Sequence, residues 1–269
     1  MPATQLSSRQ FRSPQIYTEL SDLLSNLPKA ADAALIGDVL AECATPGETL
    51  IVGVTGSVAS GKSTFCTSIA DHLRSTMRIE TVSTDGFLLP NSELAARGLL
   101  LRKGYPESYD ANLLSGTLQR ARWGAVRAPG YSHTTYDRAA DLDRTIDRPD
   151  ILLVEGLGLS PTGKQRDPSA FLDLLIYIDA KEQDLETWFV RRFMSFWSEA
   201  ETNPSSFYAR FRTMTETEAD VFARQVWAGI NLPNLREHIV PARQHADLLI
   251  TKSANHDMRL AIPAFRGNA

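Results

Sequence analysis

The sequence predicts an α/β fold with a mostly parallel five-stranded sheet and helices on both faces. Two observations carry this prediction: five short runs of aliphatic and β-branched residues, and the helical stretches that separate them. Uninterrupted apolar runs of this length are typical of strands that are buried on both faces, as in parallel sheets. Alternation of such strands with helices favours a sheet that is covered on each side.

Each element follows from its own stretch of sequence. From Ile16 to Cys43 apolar residues recur at three- and four-residue steps, which indicates one or two helices after a polar N-terminal arm. The five strands are predicted at 49–55, 78–84, 150–157, 173–180 and 246–252. Further helices are predicted at 62–75, 110–124, 181–200, about 205–212 and 215–240, with breaks at Pro204 and Pro233.

The bulk properties are those of an ordinary globular chain. It has 269 residues, of which 43% are hydrophobic and 22% are charged, enough for one large α/β domain or two small ones. One domain is favoured because no linker or repeat divides the apolar segments. We predict an N-terminal arm with helices at 1–47, a main domain at 48–257 and a tail at 258–269, with 86–148 inserted above the sheet.

Charge, cysteines and hydropathy restrict the setting of the protein. The formal charge of -4 is too small to indicate a nucleic-acid or membrane partner. Cys43 and Cys66 have no metal-ligand spacing around them, which favours a reducing compartment. The N-terminus lacks an apolar signal core, and no run approaches the roughly 18 apolar residues of a membrane span. We therefore expect a cytoplasmic protein.

A phosphate-binding loop follows the first predicted strand, within the stretch VTGSVASGKSTF at 54–65. Its glycines let backbone N–H groups turn towards phosphate oxygens, and the helix that follows adds its positive N-terminal end. In such a loop Lys62 bridges the terminal phosphates and Ser63 ligates Mg²⁺. The predicted nucleotide-binding residues of the loop are Gly56, Ser57, Val58, Ala59, Ser60, Gly61, Lys62, Ser63 and Thr64.

Acidic residues stand at or just after the ends of three predicted strands, where ligands collect in open α/β sheets. Asp85 and Glu155 are each followed by glycine in a tight exit from an apolar strand, and both are candidates for the magnesium and phosphate chemistry. Asp179 ends the fourth strand and is either a third candidate or a solvated carboxylate. A guanine-reading NKxD motif and a second nucleotide domain are both absent from the sequence. A small P-loop kinase is therefore the leading interpretation, and a general nucleotide hydrolase is the alternative.

The segment STDGFLLPNSELAARGLLLRKGYPESYD, residues 83–110, closely resembles the type I (prokaryotic) pantothenate kinases. Further stretches of the same pattern follow in order: APGYSHTTYDR at 128–138, TWFVRRF at 187–193, GINLPNLREHIVPAR at 229–243 and LLITKSANH at 248–256. The resemblance covers about 50–257. It implies transfer of the γ-phosphate of ATP to the primary hydroxyl of pantothenate, the first step towards coenzyme A, with ATP and Mg²⁺ as cofactors and a homodimeric assembly. The inserted segment 86–148 would then belong to the acceptor site.

The resemblance also implies roles for individual residues. Asp85 would be the general base, in agreement with its place at the exit of the second strand. Arg192 would neutralise charge on the transferred phosphoryl group, for which an always-charged, planar guanidinium is suited. The adjacent Arg191 is the better candidate for an ordinary surface arginine.

Other matched positions are polar or aromatic contacts. Tyr131, His133 and Asn231 match residues that contact pantothenate, and His256 matches one beside the adenine ring. From the residues alone, the first three are equally a turn tyrosine, a satisfied histidine and a helix-terminating asparagine before Pro233.

Three departures from the family pattern bear on substrate and control. Phe189 stands where the family usually has Tyr, which removes a hydroxyl from the substrate pocket. Thr67 stands where the family tends to have an Arg associated with feedback inhibition, so we expect weak inhibition by coenzyme A. The segments before residue 48 and at 158–171 are shorter than their family counterparts.

Two other functions stay open at this point. One is a related kinase with another hydroxyl acceptor, such as uridine, glycerate or a sugar. The other is a non-catalytic nucleotide-binding protein, although a pure binder has no need to combine Lys62 and Ser63 with Asp85 and Glu155.

Overall fold

The computed structural model describes residues 32–161 and 167–261, and confirms the predicted α/β fold. Six strands form the main sheet, in the order β10-β9-β8-β1-β7-β2, and the first five along the chain run parallel to one another. Two small two-stranded antiparallel sheets, β3–β6 and β4–β5, lie outside it. The strands are β1 Leu50–Gly56, β2 Ile79–Ser83, β3 Ala125–Ala128, β4 Tyr131–Ser132, β5 Asp137–Arg138, β6 Arg144–Asp147, β7 Ile151–Glu155, β8 Leu174–Ala180, β9 Leu248–Lys252 and β10 Met258–Ala261.

The helices alternate with these strands, as the sequence pattern predicts. The α-helices are α1 Ala33–Cys43, α2 Lys62–Leu73, α3 Asn91–Ala96, α4 Ala111–Ala121, α5 Glu182–Glu199 and α6 Glu216–Val226. Short 3₁₀ turns lie at Thr84–Phe87, Leu100–Arg102, Pro106–Ser108, Ala140–Leu142, Pro168–Phe171 and Phe207–Phe211. The predicted arm, and the part of the N-terminal helices before residue 32, lie outside the described residues.

Helices cover both faces of the sheet, as the packing of successive β1 side chains into different core clusters shows. Val52 and Val54 pack in a core cluster with α1 and α2 on one face. Ile51 packs on the other face, in a cluster that includes Leu114 and Leu118 of α4. All seven residues of β1 are buried, and this two-sided burial is why the strand reads as one continuous apolar run.

Two features differ from the sequence-based expectation. The segment predicted as a tail begins with β10, which adds a sixth, antiparallel strand beside β9. The predicted helix break at Pro233 is wrong, because α6 continues through π-helical turns at Trp227–Asn231 and Leu235–Ile239 and ends in a 3₁₀ turn at Val240–His245. Pro233 lies at the start of the short α-turn Leu232–Asn234, where the missing proline N–H is tolerated.

The sheet order brings the chemistry-bearing segments together. The phosphate-binding loop follows β1, and Glu155 ends the neighbouring strand β7. Asp85 follows β2, which pairs with β7 on its other side. Since these strands are parallel, their carboxyl ends meet at one edge of the sheet. None of the helices in the described ranges combines the length and apolarity that crossing a membrane requires.

Candidate active site

The phosphate-binding loop has the backbone that its glycines predict. Gly56 has a φ of 144°, and a Cβ there would lie 2.4 Å from the carbonyl oxygen of Ile178, so only glycine fits. The hydroxyls of Ser57 and Ser60 are buried without a hydrogen-bond partner among the described residues. Buried polar groups are nearly always paired in complete sites, so a loop with two such hydroxyls fits a bound anion.

Lys62 lies inside this loop and is only 8% exposed. Its Nζ donates hydrogen bonds to the carbonyl oxygens of Ser57, at 2.8 Å, and Gly56, at 3.3 Å. Burial lowers the pKa of Lys62, while the nearby carboxylates of Glu155 and Asp85 raise it. The ammonium is therefore held by the loop backbone, and the charges of both predicted acidic residues act on it.

Ser63 and Glu155, the predicted metal ligands, are in contact. Ser63 lies in the first turn of α2, and its hydroxyl donates to Oε1 of Glu155 at 3.1 Å. Glu155 is 8% exposed at the end of β7. No three His, Cys, Asp or Glu side chains cluster as a metal site in the described part of the chain. One hydroxyl and one carboxylate fit Mg²⁺, which usually keeps several waters and takes further ligands from substrate phosphates.

Asp85 lies in the 3₁₀ turn that follows β2, where its N–H donates to Oγ of Ser83 at 3.3 Å. Glycines follow both Asp85 and Glu155, and at each of them the backbone packs too closely against another segment for a side chain to fit. A Cβ at Gly86 would lie 2.1 Å from the carbonyl oxygen of Pro129, and one at Gly156 would lie 1.8 Å from Oγ1 of Thr84. After each acidic residue, the lack of a side chain on the glycine thus lets the backbone turn pack against a neighbouring segment.

Asp179, the third acidic candidate, has a structural contact. It forms an ion pair with Arg243 at 3.4 Å and does not line the cavity described below. The alternative interpretation, an ordinary strand-end carboxylate, fits it better.

A cavity of about 310 Å³ opens beside the loop and gathers most of the predicted residues. Its walls come from the loop, from the inserted segment 86–148, from α5 and α6, and from the π-helical turn after α6. The predicted catalytic, metal and substrate residues that line it are Lys62, Ser63, Asp85, Tyr131, His133, Glu155, Phe189, Arg192 and Asn231. Residues far apart in sequence thus share one chamber with the loop lysine.

Arg192 and His133 both line this cavity. Arg192 lies on α5, is exposed, and its guanidinium carbon is 5.4 Å from the ring centroid of Phe196. The positive charge of Arg192 lowers the pKa of both Lys62 and His133. For His133 burial is the larger cause of the lowered pKa, and the charge of Asp85 opposes it. Arg191 is exposed and is not part of the cavity lining.

Aromatic rings form one wall of the cavity. The Tyr131 ring meets His133 edge-on at 5.2 Å and Tyr136 at 6.1 Å, and Tyr136 in turn lies 4.6 Å from Phe207. Burial raises the pKa of both tyrosines, so they are neutral hydroxyl donors at physiological pH. Phe189 lines the cavity as well and packs 5.8 Å from the ring of Trp227.

Lys103 is the principal cavity residue that sequence reasoning missed. Its Nζ donates to Oδ1 of Asn91 at 2.7 Å and to the carbonyl oxygen of Tyr136 at 2.5 Å, and it lies 4.4 Å from the Tyr136 ring centroid. Burial lowers its pKa to about 8, whereas the charges of Asp137 and Asp85 raise it. The only signal in the sequence was its place within the run RGLLLRKGYPESYD.

His256 lies outside the cavity. It follows β9 with a φ of 68°, is exposed, and stacks on Trp188 with the ring centroids 4.9 Å apart. Trp188 belongs to α5 and is itself buried. The two rings form an aromatic pair beyond the last parallel strand, on the far side of the loop from Asp85.

Comparison with known proteins identifies the family. A model of the phosphoribulokinase/uridine kinase family matches residues 51–194. The pantothenate kinase of Paenarthrobacter aurescens is 40% identical over 263 residues, which covers 91% of this chain and 80% of the relative. The chain belongs to the pantothenate kinase family. A pantothenate kinase of Shewanella loihica is also 40% identical, over 256 residues that cover 90% of this chain and 81% of the relative.

Solved structures agree with the fold of a P-loop kinase. A protein described as a fructose transport system kinase from Silicibacter sp. TM1040 aligns with a TM-score of 0.64 and 24% identity, covering 80% of this chain and 95% of that protein. At this identity the likeness concerns the fold alone. The two pantothenate kinase relatives, not this structural likeness, confirm the family resemblance inferred from the motifs at 83–110 and 128–138.

Proposed function

We propose that this chain is a pantothenate kinase, which transfers the γ-phosphoryl group of ATP to the primary hydroxyl of pantothenate. The observation that carries the proposal is that one cavity joins the phosphate-binding loop to Asp85 and to the aromatic wall. Membership of the pantothenate kinase family supports the same acceptor. A nucleotide-binding protein without catalysis would not require a carboxylate at the meeting point of donor loop and acceptor wall.

Asp85 is the proposed general base. It lines the cavity together with Lys62 and His133, and its charge raises the pKa of both groups. It would accept the proton of the acceptor hydroxyl as the oxygen attacks phosphorus. Positioned proton transfer of this kind contributes about 10² to 10⁴ in rate.

Lys62 and Arg192 are the proposed charge-stabilising residues. On phosphate binding, the Lys62 ammonium would exchange its two carbonyl contacts in the loop for phosphate oxygens. Arg192 approaches the same space from α5, which suits a guanidinium that offsets charge developing on the transferred group. Ser63 and Glu155 would hold Mg²⁺, which when bound offsets the charge of the phosphate oxygens.

The remaining cavity residues are proposed to bind the acceptor. Tyr131, His133 and Asn231 offer hydroxyl, imidazole and amide groups, and Lys103 adds a half-buried positive charge. Pantothenate is a hydroxylated carboxylate with an amide, so it can use both polar partners and a cation. On the nucleotide side, His256 and its partner Trp188 are proposed to contact the adenine ring.

One observation favours an acceptor other than pantothenate: the phenyl ring of Phe189 lies in the cavity wall. A site that hydrogen-bonds a substrate hydroxyl loses discrimination when the partner hydroxyl is absent. The alternative function is therefore a related kinase, which uses the same phosphoryl-transfer residues to phosphorylate uridine, glycerate or a sugar.

The test is a coupled ADP-release assay with pantothenate, uridine, glycerate and simple sugars as acceptors. We expect saturable turnover with pantothenate well above the ATPase background, and phosphopantothenate as the product by mass spectrometry. Turnover with another acceptor but not with pantothenate would assign the alternative. No turnover with any acceptor, in a protein that binds ATP, would favour the non-catalytic interpretation.

A further inference from the structure

Lys252 reaches the phosphate-binding loop from outside its motif. It ends β9, in register with Ala180 of β8, and its side chain is half-buried. Its Nζ donates a hydrogen bond to the carbonyl oxygen of Ser60 at 3.0 Å and lies 4.9 Å from the ring centroid of Trp188. A residue 192 positions away in sequence thus contacts the turn of the loop.

The shape of the loop is matched to this ammonium. Gly61 has a φ of 92°, and a Cβ at that position would lie 2.6 Å from Nζ of Lys252. The carbonyl oxygen of Gly61 accepts from the N–H of Phe65 at 3.0 Å and so begins α2. The peptide units on both sides of Gly61 are therefore fixed, one by the helix and the other by Lys252.

The contact with Ser60 also sets the direction of an amide donor. The Ser60 carbonyl and the Gly61 N–H belong to the same trans peptide unit, in which the two groups point in opposite directions. When Lys252 holds the carbonyl on its own side, the N–H is held away from it. A cation on the carbonyl also polarises the peptide, which makes the N–H a stronger donor.

We propose that Lys252 is a positioning residue of the nucleotide site, which fixes the Ser60–Gly61 peptide so that its N–H serves the phosphates of ATP. No carboxylate of the described residues lies within 4.0 Å of its ammonium, so its charge is not cancelled by a direct ion pair. Lys62 and Lys252 then have different roles. Lys62 contacts the phosphates, and Lys252 fixes the backbone N–H group that donates to them.

A competing explanation is available from the same geometry. Lys252 also lies over Trp188, on which His256 stacks, so the competing role is support of the adenine side. Inorganic tripolyphosphate separates the two roles, because it carries the phosphates of ATP and lacks the adenine ring.

The experiment compares Lys252→Met with Lys181→Met in the full chain. Methionine keeps an aliphatic stem against Trp188 and removes the charge and the donor. Lys181 is the matched control, since it follows the neighbouring strand β8 and its side chain is exposed. The KM of ATP, the KM of the acceptor, kcat, Tm and the inhibition constant of tripolyphosphate against ATP are measured for both variants.

For Lys252→Met we expect the KM of ATP and the inhibition constant of tripolyphosphate to rise together, by about tenfold, equivalent to about 1.4 kcal/mol. The acceptor KM and Tm should stay at the wild-type values, and Lys181→Met should match the wild type throughout. Unchanged tripolyphosphate inhibition with weakened ATP would assign Lys252 to the adenine side and overturn the proposal. Equal losses in both variants, or no loss in either, would overturn it as well.

Lys252→Gln provides a second variant if the methionine protein does not fold. It keeps a neutral donor, so the rise in the inhibition constant should be smaller than for methionine but in the same direction, and no rise would contradict the proposal. Calorimetric dissociation constants of ATP and tripolyphosphate give the same comparison without turnover, and so without an acceptor. The test therefore stands even if the acceptor is not pantothenate.

Discussion

Replacing Asp85 by Asn tests the proposed base with little disturbance of the fold. The turn around Asp85 is held by its backbone: its N–H donates to Oγ of Ser83 at 3.3 Å, and its carbonyl accepts from the N–H of Leu88 at 3.1 Å. An amide of the same size leaves both bonds in place. The substitution therefore removes the charge and the basic oxygen and little else.

The expected loss is in turnover. Without a positioned base kcat should fall by about 10²- to 10⁴-fold, which corresponds to about 2.7 to 5.4 kcal/mol in the activation free energy. ATP should bind at least as well as before, because Asp85 is a negative charge near Lys62 and its removal lessens repulsion of the phosphates. A fall in kcat with unchanged or lower ATP KM is thus the signature of a base.

The assay is coupled ADP release for turnover and calorimetry for ATP binding. Asp179→Asn is the matched control: the same change at the end of another parallel strand of the sheet, β8, in a carboxylate that pairs with Arg243 outside the cavity. It should retain full activity. Near-normal turnover of Asp85→Asn, or an equal loss in Asp179→Asn, would refute the assignment of Asp85 as base.

Three further predictions concern the acceptor, the inhibitor and the turn behind the carboxylates. Because the pKa of Lys103 is lowered to about 8 by burial, its ammonium loses its proton as pH rises through that value; the KM of an anionic acceptor should rise in the same range, and a pH profile unchanged in Lys103→Met would contradict this. Thr67 is exposed on α2, and we expect weak inhibition by coenzyme A that strengthens in Thr67→Arg; potent inhibition of the wild type, competitive with ATP, would be the contrary result. Gly156→Ala should lower Tm and activity together, since its Cβ would lie 1.8 Å from Oγ1 of Thr84. Gly124→Ala is the control, because a Cβ there meets nothing within 4 Å. Thermal-melt and turnover measurements should show no change for this control.

The parallel core could be predicted from the sequence because its strands are buried on both faces. Every residue of β1 and β7 is buried, so each strand appears as an unbroken apolar run. β10 could not be predicted in this way. It is a four-residue edge strand in which only Leu260 is buried, and its pairing with β9 depends on the chain turning back after Lys252.

Pro233 shows a different limit of sequence reasoning. A proline inside a helical pattern usually ends the helix, because its ring clashes with the preceding turn and its nitrogen cannot donate. Here π-helical turns on either side change the local register, and the helical path continues from α6 to His245. One of these turns carries Asn231 into the cavity wall. The exception therefore lies at the proposed acceptor site, as π-bulges frequently do.

The two halves of the candidate site differ in how far sequence can describe them. The donor half is local: Lys62 and Ser63 are adjacent, and Asp85 and Glu155 stand at the ends of strands that the sequence predicts. The acceptor half is assembled from distant segments. Lys103, for example, donates hydrogen bonds to Asn91 and to the backbone of Tyr136. The spacing of residues in the sequence does not predict these contacts.

This division has a consequence for specificity within the family. A change in the donor half alters residues that every kinase of this kind uses, so such a change removes activity with all acceptors. A change in the acceptor half, such as phenylalanine for tyrosine at position 189, leaves the loop, the base and the metal ligands untouched. It can alter which hydroxyl is phosphorylated without altering the phosphoryl transfer itself. Phe189→Tyr should therefore shift the ratio of kcat/KM between pantothenate and other acceptors more than it shifts the KM of ATP, and equal effects on both would place Phe189 outside the acceptor site.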